Sequence, residues 1–157
     1  MKGPGFLLFL ALCAGCAADP QGPGGGCGTT NALVACVDRS EYAPGDPLAL
    51  TVVNRGAVSA RIDTCAALLV ERTTIEFSPP VYHPARRCGP NPSPDDILAA
   101  AVEVKSGESR TVSLTVAPAL PQGFYRVYAW LLDDSGALAA PDPVRSNEFD
   151  VFPSAGK

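Results

Sequence analysis

Histidine is nearly absent from this 157-residue chain, which contains His83 and no other. One imidazole excludes most metal sites and acid–base relays that are built on several. Cationic residues are also scarce. Twelve Lys and Arg against 16 Asp and Glu leave a net charge of −4, whereas a nucleic-acid partner demands a basic face for its phosphates. Charged residues make up 18% of the chain and hydrophobic ones 46%, which rules out an extended disordered tail and leaves enough apolar material for a core. No internal repeat, heptad or long helical period is present, and no G-x-S-x-G nucleophile elbow occurs. A catalytic base at His83 would need a nucleophile and an orienting acid beside it, and the pattern supplies neither. The reading is therefore of a non-catalytic protein without cofactor or metal.

Proline and glycine are abundant: 16 and 15 residues, about a fifth of the chain. That share suits many short elements joined by tight turns. A length near 150 supports one domain. Period-2 alternation predicts strands. Val112, Leu114 and Val116 point one way while Thr111, Ser113 and Thr115 point to water, and Leu48, Leu50 and Val52 repeat the pattern. Further strands are expected at residues 33–38, 59–64, 68–77, 98–104, 124–132 and 147–152, with 98–101 the one stretch that also suits a helix. Pro44-Gly45 carries the residues of a type II turn. Asn54-Arg55-Gly56, Lys105-Ser106-Gly107-Glu108 and Asp133-Asp134-Ser135-Gly136 close other turns. Seven or eight such strands predict an all-β antiparallel sandwich or barrel.

The N-terminus speaks to location. Lys2 precedes the apolar run Phe6-Leu7-Leu8-Phe9-Leu10-Ala11-Leu12, which as a helix rises about 10 Å, far short of a roughly 30 Å hydrocarbon core. A short charged region, a short apolar region and small residues describe an export signal. At Cys13-Ala14-Gly15-Cys16 the chain resembles bacterial lipoproteins, matching their lipobox at Ala14, Gly15 and Cys16, with Cys13 where Leu is usual. The resemblance implies removal of residues 1–15 and lipidation of Cys16, anchoring the protein to a membrane. Ala17 after that Cys implies the outer membrane in a diderm organism. The alternative is an ordinary secretory signal cleaved near Ala17 or Ala18. Residues 16–30 form a lipidated linker. Its stretch Ala17-Ala18-Asp19-Pro20-Gln21-Gly22-Pro23-Gly24-Gly25-Gly26 is a flexible tether spanning roughly 17 Å. The domain is expected over 31–153, with a tail at 154–157.

Leu120-Pro121-Gln122-Gly123-Phe124-Tyr125 has the spacing of the tyrosine corner of Ig-like sandwiches, in which the hydroxyl bonds back to upstream backbone. Counted from Tyr125, residues Val127, Ala129 and Leu131 face the core. Phe124, Arg126, Tyr128 and Trp130 take the other face. From residue 33 to 152 the chain resembles small exported bacterial Ig-like lipoprotein domains. The resemblance lies in Tyr42-x-x-Gly45-Asp46 feeding a strand that ends in Asn54, in Cys65 and Cys88, and in Ser146-Asn147-x-Phe149-x-Val151. It implies a Greek-key sandwich. The opening motif is also similar to proteinase inhibitors of the BsuPI type, which leaves protease inhibition by the Pro-rich loop 78–94 as a second function and an enzyme as a distant third.

Four cysteines remain beyond Cys16, and four allow three connectivities. Spacings of 9, 29 and 23 do not suit zinc. The family resemblance implies Cys65 with Cys88, which leaves Cys27 with Cys36. Asp133-Asp134 and Asp95-Asp96 read as turn and element-start chemistry, His83 as a loop residue, and Arg86-Arg87 as a solvated basic spot. Arg126, Tyr128 and Trp130 on one face of one strand form the aromatic-plus-Arg mixture enriched at binding hot spots. They are the candidate contact for a protein partner in the cell envelope.

Overall fold

The computed structural model describes residues 26–71, 82–84, 88 and 91–152. They form an all-β sandwich of two sheets with one short helix. The four-stranded sheet has the order β1 (Gly28–Thr30), β2 (Leu33–Val37), β4 (Pro47–Asn54), β8 (Ser109–Thr115). The seven-stranded sheet runs β3 (Glu41–Tyr42), β11 (Phe149–Val151), β9 (Gly123–Leu132), β5 (Ala60–Glu71), β6 (Tyr82–Pro84), with β10 (Val144–Arg145) beside β9 and β7 (Val102–Val104) beside β5. All pairings are antiparallel except β3 with β11.

Alternation fills the space between the sheets. Leu48, Leu50 and Val52 of β4 stand with Val112 and Leu114 of β8, against Ile62, Leu69, Tyr125 and Val127 from the other layer. On the outer side of the smaller sheet, Thr51 and Thr111 share a hydroxyl hydrogen bond of 2.9 Å. That is the expected fate of residues two apart on a pleated strand: one face dry, the other wet.

The strand count exceeds the expected seven or eight. The extra elements β1, β3, β6 and β10 are two or three residues long, too short for any periodicity to register. The two strands expected at 59–64 and 68–77 are one, β5 over Ala60–Glu71, and residues 72–77 lie outside the described part. The stretch expected as a strand over 98–104 divides into helix α1 (Pro94–Ala100) and β7. Local chemistry explains the helix. Ser93 caps it, accepting from the Asp96 N–H, while Asp96 returns a bond to the Ser93 N–H, with Pro94 in the first turn. The Thr64 hydroxyl donates to the Ala100 carbonyl at 2.8 Å and ties the helix to β5.

The opening motif is a knot at one pole of the sandwich. Gly45 has φ of +90° and the Asp46 N–H bonds the Ala43 carbonyl at 3.0 Å, the type II turn expected from Pro44-Gly45. Asp46 also accepts from the Ala43 N–H at 3.0 Å. The Tyr42 hydroxyl donates to Asp38 at 2.7 Å, and the Arg39 guanidinium lies 4.4 Å from the Tyr42 ring centre. Burial and this bond to Asp38 push the Tyr42 phenol up. For Asp38, burial acts upward, but the bonds from Tyr42 and the Ala49 N–H, with Arg39 beside it, outweigh burial and hold the carboxyl below its ordinary 3.8. A depressed folded value means this stabilisation is complete above the unfolded value and is lost as pH falls through the folded one. Denaturant midpoints measured from pH 5 down to pH 2 should therefore fall less steeply for Asp38→Asn than for the wild type. Parallel curves would remove Asp38 from the acid response.

Two disulfides brace the sandwich, Cys27–Cys36 and Cys65–Cys88, as expected. The first joins the segment entering β1 to β2. The second spans 23 residues, which constrains the unfolded chain by roughly 3 kcal/mol in the loop-entropy model. Asn147 lashes the layers together, its side-chain oxygen accepting from the Val37 N–H at 2.8 Å. Ser146 beside it accepts from the Val127 N–H and donates to the Asn147 carbonyl. The Ser-Asn pair of the closing motif is thus structural.

Candidate functional site

Strand β9 holds the candidate face, and the tyrosine corner holds β9. The Tyr125 hydroxyl donates to the Pro121 carbonyl at 2.9 Å, and the residue is fully buried. With Tyr125 inward, Val127 and Ala129 follow it into the core, while Leu131 is half-buried. Phe124 and Arg126 are exposed, and Tyr128 and Trp130 half-buried, on the opposite side. The structure keeps Arg126, Tyr128 and Trp130 together on one outer face.

The face extends sideways. Arg145 of β10 is the register partner of Tyr128, and its guanidinium carbon lies 5.4 Å from the Tyr128 ring centre. Arg126 approaches Glu148 at 4.0 Å, with half of the Arg126 side chain accessible. At that distance, with the Glu148 side chain 23% accessible, the pair contributes little, about 0–1 kcal/mol. Sequence reasoning missed Arg145 and Glu148. No local signal marks them, because they reach Tyr128 and Arg126 through pairing between strands about 20 positions apart.

On the other flank, Trp130 is the register partner of Asp63. Beyond Asp63 the ladder is interrupted. Pairing resumes at Leu68 with Tyr128, so β5 advances five residues while β9 advances two. The Asp63 carboxylate drives this bulge by accepting from the Cys65 N–H at 2.8 Å and the Ala66 N–H at 3.1 Å. Asp63 is 4% exposed. The bulge also carries Cys65 to its bond with Cys88.

The other residues singled out from the sequence do not join this face. Asp133 is a turn residue, as expected. Its Oδ1 accepts from the Ser135 hydroxyl and from the N–H groups of Ser135 and Ala137, and the Ser135 bond in particular holds its carboxyl low. Asp96 is likewise held low, first by the Ser93 hydroxyl, within the helix cap. His83 lies in β6, with Leu69 as register partner, instead of in a loop. The lipobox with Cys16, the Arg86-Arg87 spot and most of the Pro-rich loop lie outside the described residues. An apolar cleft of about 190 Å³ opens at the pole opposite the Tyr42 knot, between Leu33, Val58, Leu131 and Leu132. Of its polar lining, Asn54 has its carboxamide bonded to Val58, Val104 and Gly56, and the Arg61 guanidinium reaches the Asp133 carbonyl and the Asp134 carboxylate.

Two formed disulfides suggest an oxidising, exported environment. Among the described residues no helix is long and apolar enough to cross a membrane. No family model matches the chain, and no curated protein matches it. Among solved structures, the chain is similar to Spo0M, the sporulation control protein of Bacillus subtilis, at 12% identity and a TM-score of 0.37, over 79% of this chain and 49% of that one. The chain spans about half the length of that protein.

Proposed function

We propose that this protein is a lipid-tethered, non-catalytic Ig-like module that binds a protein partner in the bacterial cell envelope. The observation that carries the reading is the outward stripe Arg126, Tyr128 and Trp130 on β9. Stripes of this composition furnish the anchors of protein interfaces, where aromatic and Arg side chains contribute most of the binding energy. The rigid mounting supports it further. A strand held by the tyrosine corner and by the pairing of β5 and β11 loses little freedom when a partner docks.

Tethering rests on the lipobox. Lipidated Cys16, followed by a Gly- and Pro-rich linker ahead of Cys27, gives a domain attached to a surface and free to turn on it. With Ala17 next, the outer membrane is the expected site in a diderm organism.

Mass spectrometry of the exported protein tests the anchor. The mature chain is expected to begin at acylated Cys16, and Cys16→Ala is expected to stay unprocessed. A mature, unlipidated N-terminus at Ala17 or beyond would overturn the tether. Crosslinked capture from envelope extract tests the binding role. A captured protein should be lost with Trp130→Ala and retained with Thr51→Ala on the opposite sheet; equal capture by both variants removes the β9 face from the role.

A further inference from the structure

We infer that β8 is an open edge that pairs with β8 of a second copy, antiparallel about a two-fold axis at Val112. Parity fixes which backbone groups are free. The Val116 N–H bonds the Asp46 carbonyl at 2.9 Å, and the Glu108 carbonyl accepts from the Asn54 N–H at 2.9 Å. Even-numbered residues of β8 therefore turn their backbone toward β4, and Ser109, Thr111, Ser113 and Thr115 turn theirs away. The 2.9 Å contact of the Thr51 and Thr111 hydroxyls agrees, since facing side chains come closest where the two backbones do not bond. Among the described residues no strand pairs with β8 on its outward side.

Sheet edges are ordinarily guarded by shortness, Pro, Lys, a bulge or a cover. Strands β1, β3, β6, β7 and β10 have two or three residues each, and β6 ends in Pro84. Gly28 of β1 lies so close to the Arg145 carbonyl that a Cβ would collide with it. By contrast β8 has seven residues, an unbroken register with β4, and neither Pro nor Lys. Its one charge, Arg110, meets Glu108 at 3.0 Å.

The strand's match to itself selects a second copy. A foreign peptide is recognised through pockets for its alternate side chains, whereas β8 offers small hydroxyls on one face and buried Val112 and Leu114 on the other. About Val112, Ser109 meets Thr115 and Thr111 meets Ser113, so all four residues with outward backbone are partnered. Arg110 then faces Leu114, and no like charges are opposed. An axis at Thr111 would set Thr115 against Gly107, whose N–H already serves the Asn54 carbonyl. An axis at Ser113 would set Ser109 against Ala117, past the end of the strand. The pair joins two four-stranded sheets into one. Its axis stands perpendicular to that sheet, so both β9 stripes face the same way.

Sedimentation velocity and residue-resolved amide exchange of the purified exported protein, from low micromolar to near-millimolar concentration, test the pairing. A monomer-to-dimer shift is expected. The amides of Ser109, Thr111, Ser113 and Thr115 should slow about tenfold or more as the dimer forms, while those of Val112 and Leu114, already in the ladder, stay slow throughout. Ser113→Pro removes an N–H that serves no bond within the chain. It should weaken dimerisation about tenfold or more and leave the circular dichroism spectrum unchanged. A monomer at every concentration, with those four amides fast, overturns the inference. So does a dimer in which they stay fast or which Ser113→Pro leaves intact, because its interface then lies elsewhere. Protection of the four amides in the dilute monomer shows the edge covered by the chain itself and overturns it too. The wild-type exchange decides the matter even where Ser113→Pro fails to fold.

Discussion

Replacing Tyr125 by alanine should destabilise the domain by about 3–5 kcal/mol, the range for deleting a buried aromatic ring, while phenylalanine should cost only about 1 kcal/mol. Two contributions are separable at this residue. The ring is fully buried and lies 6.3 Å from the Phe149 ring, which in turn meets Tyr42 edge-on at 5.0 Å. Alanine empties that space in an interior too well packed to collapse fully. Phenylalanine keeps the ring and removes only the hydroxyl that donates to the Pro121 carbonyl. Urea unfolding of the two variants measures the split. If phenylalanine proved as damaging as alanine, the corner would act through its hydrogen bond, and the packing account would be wrong. Because β9 carries Arg126, Tyr128 and Trp130, the alanine variant should also blunt partner capture without touching an exposed residue.

Asn54→Ala should cost about 3 kcal/mol. The residue is 2% exposed. Its amide donates to the carbonyls of Val58 and Val104 at 2.8 and 2.9 Å, and its oxygen accepts from the Gly56 N–H at 2.8 Å. Alanine leaves three backbone groups without this partner, the Val104 carbonyl in the buried interior and the Val58 carbonyl and Gly56 N–H part-buried, and each orphan costs roughly 1 kcal/mol, the Val104 carbonyl more. Asn54→Asp is the sharper variant. It keeps the shape but turns an acceptor toward two carbonyl oxygens, so it should be at least as damaging above pH 5. Wild-type stability in Asn54→Asp would show that the two donated bonds contribute nothing. The residue closes β4, holds the turn after it and reaches β7 of the facing sheet, which accounts for an Asn at the end of that strand.

Stability and presentation thus share a frame. The Tyr125 corner and the Ser146 hydroxyl that accepts from the Val127 N–H hold β9 from its inner side, which leaves its other side to be chemically expressive. Among the described residues, the Arg126 to Trp130 stripe meets Glu148 in a 4.0 Å ion pair and Arg145 in a guanidinium–ring contact.

Residues interacting with near neighbours were readable in advance. The alternations of β4 and β8 need only a period of two and one dry side. Pro44-Gly45 needs only the φ preferences of its two residues. The Leu120-x-x-Gly123-x-Tyr125 spacing set the inward parity of β9, and with it the side on which Arg126, Tyr128 and Trp130 emerge. What the order of residues left open was decided by contacts distant along the chain. The strands β1, β3, β6 and β10 exist because neighbours offer them a ladder, and two or three residues carry no pattern of their own. The helix at Pro94–Ala100 prevailed over a strand because the Ser93 cap met a docking point on Thr64. Arg145 joined Tyr128 through strand register, and the bulge at Asp63 ended the ladder beside Trp130. Local sequence determines which side of a strand is apolar, because that depends on one backbone repeat. Which side chains then meet across the strands is a property of the folded chain, where register and bulges are set by the sum of many pairings.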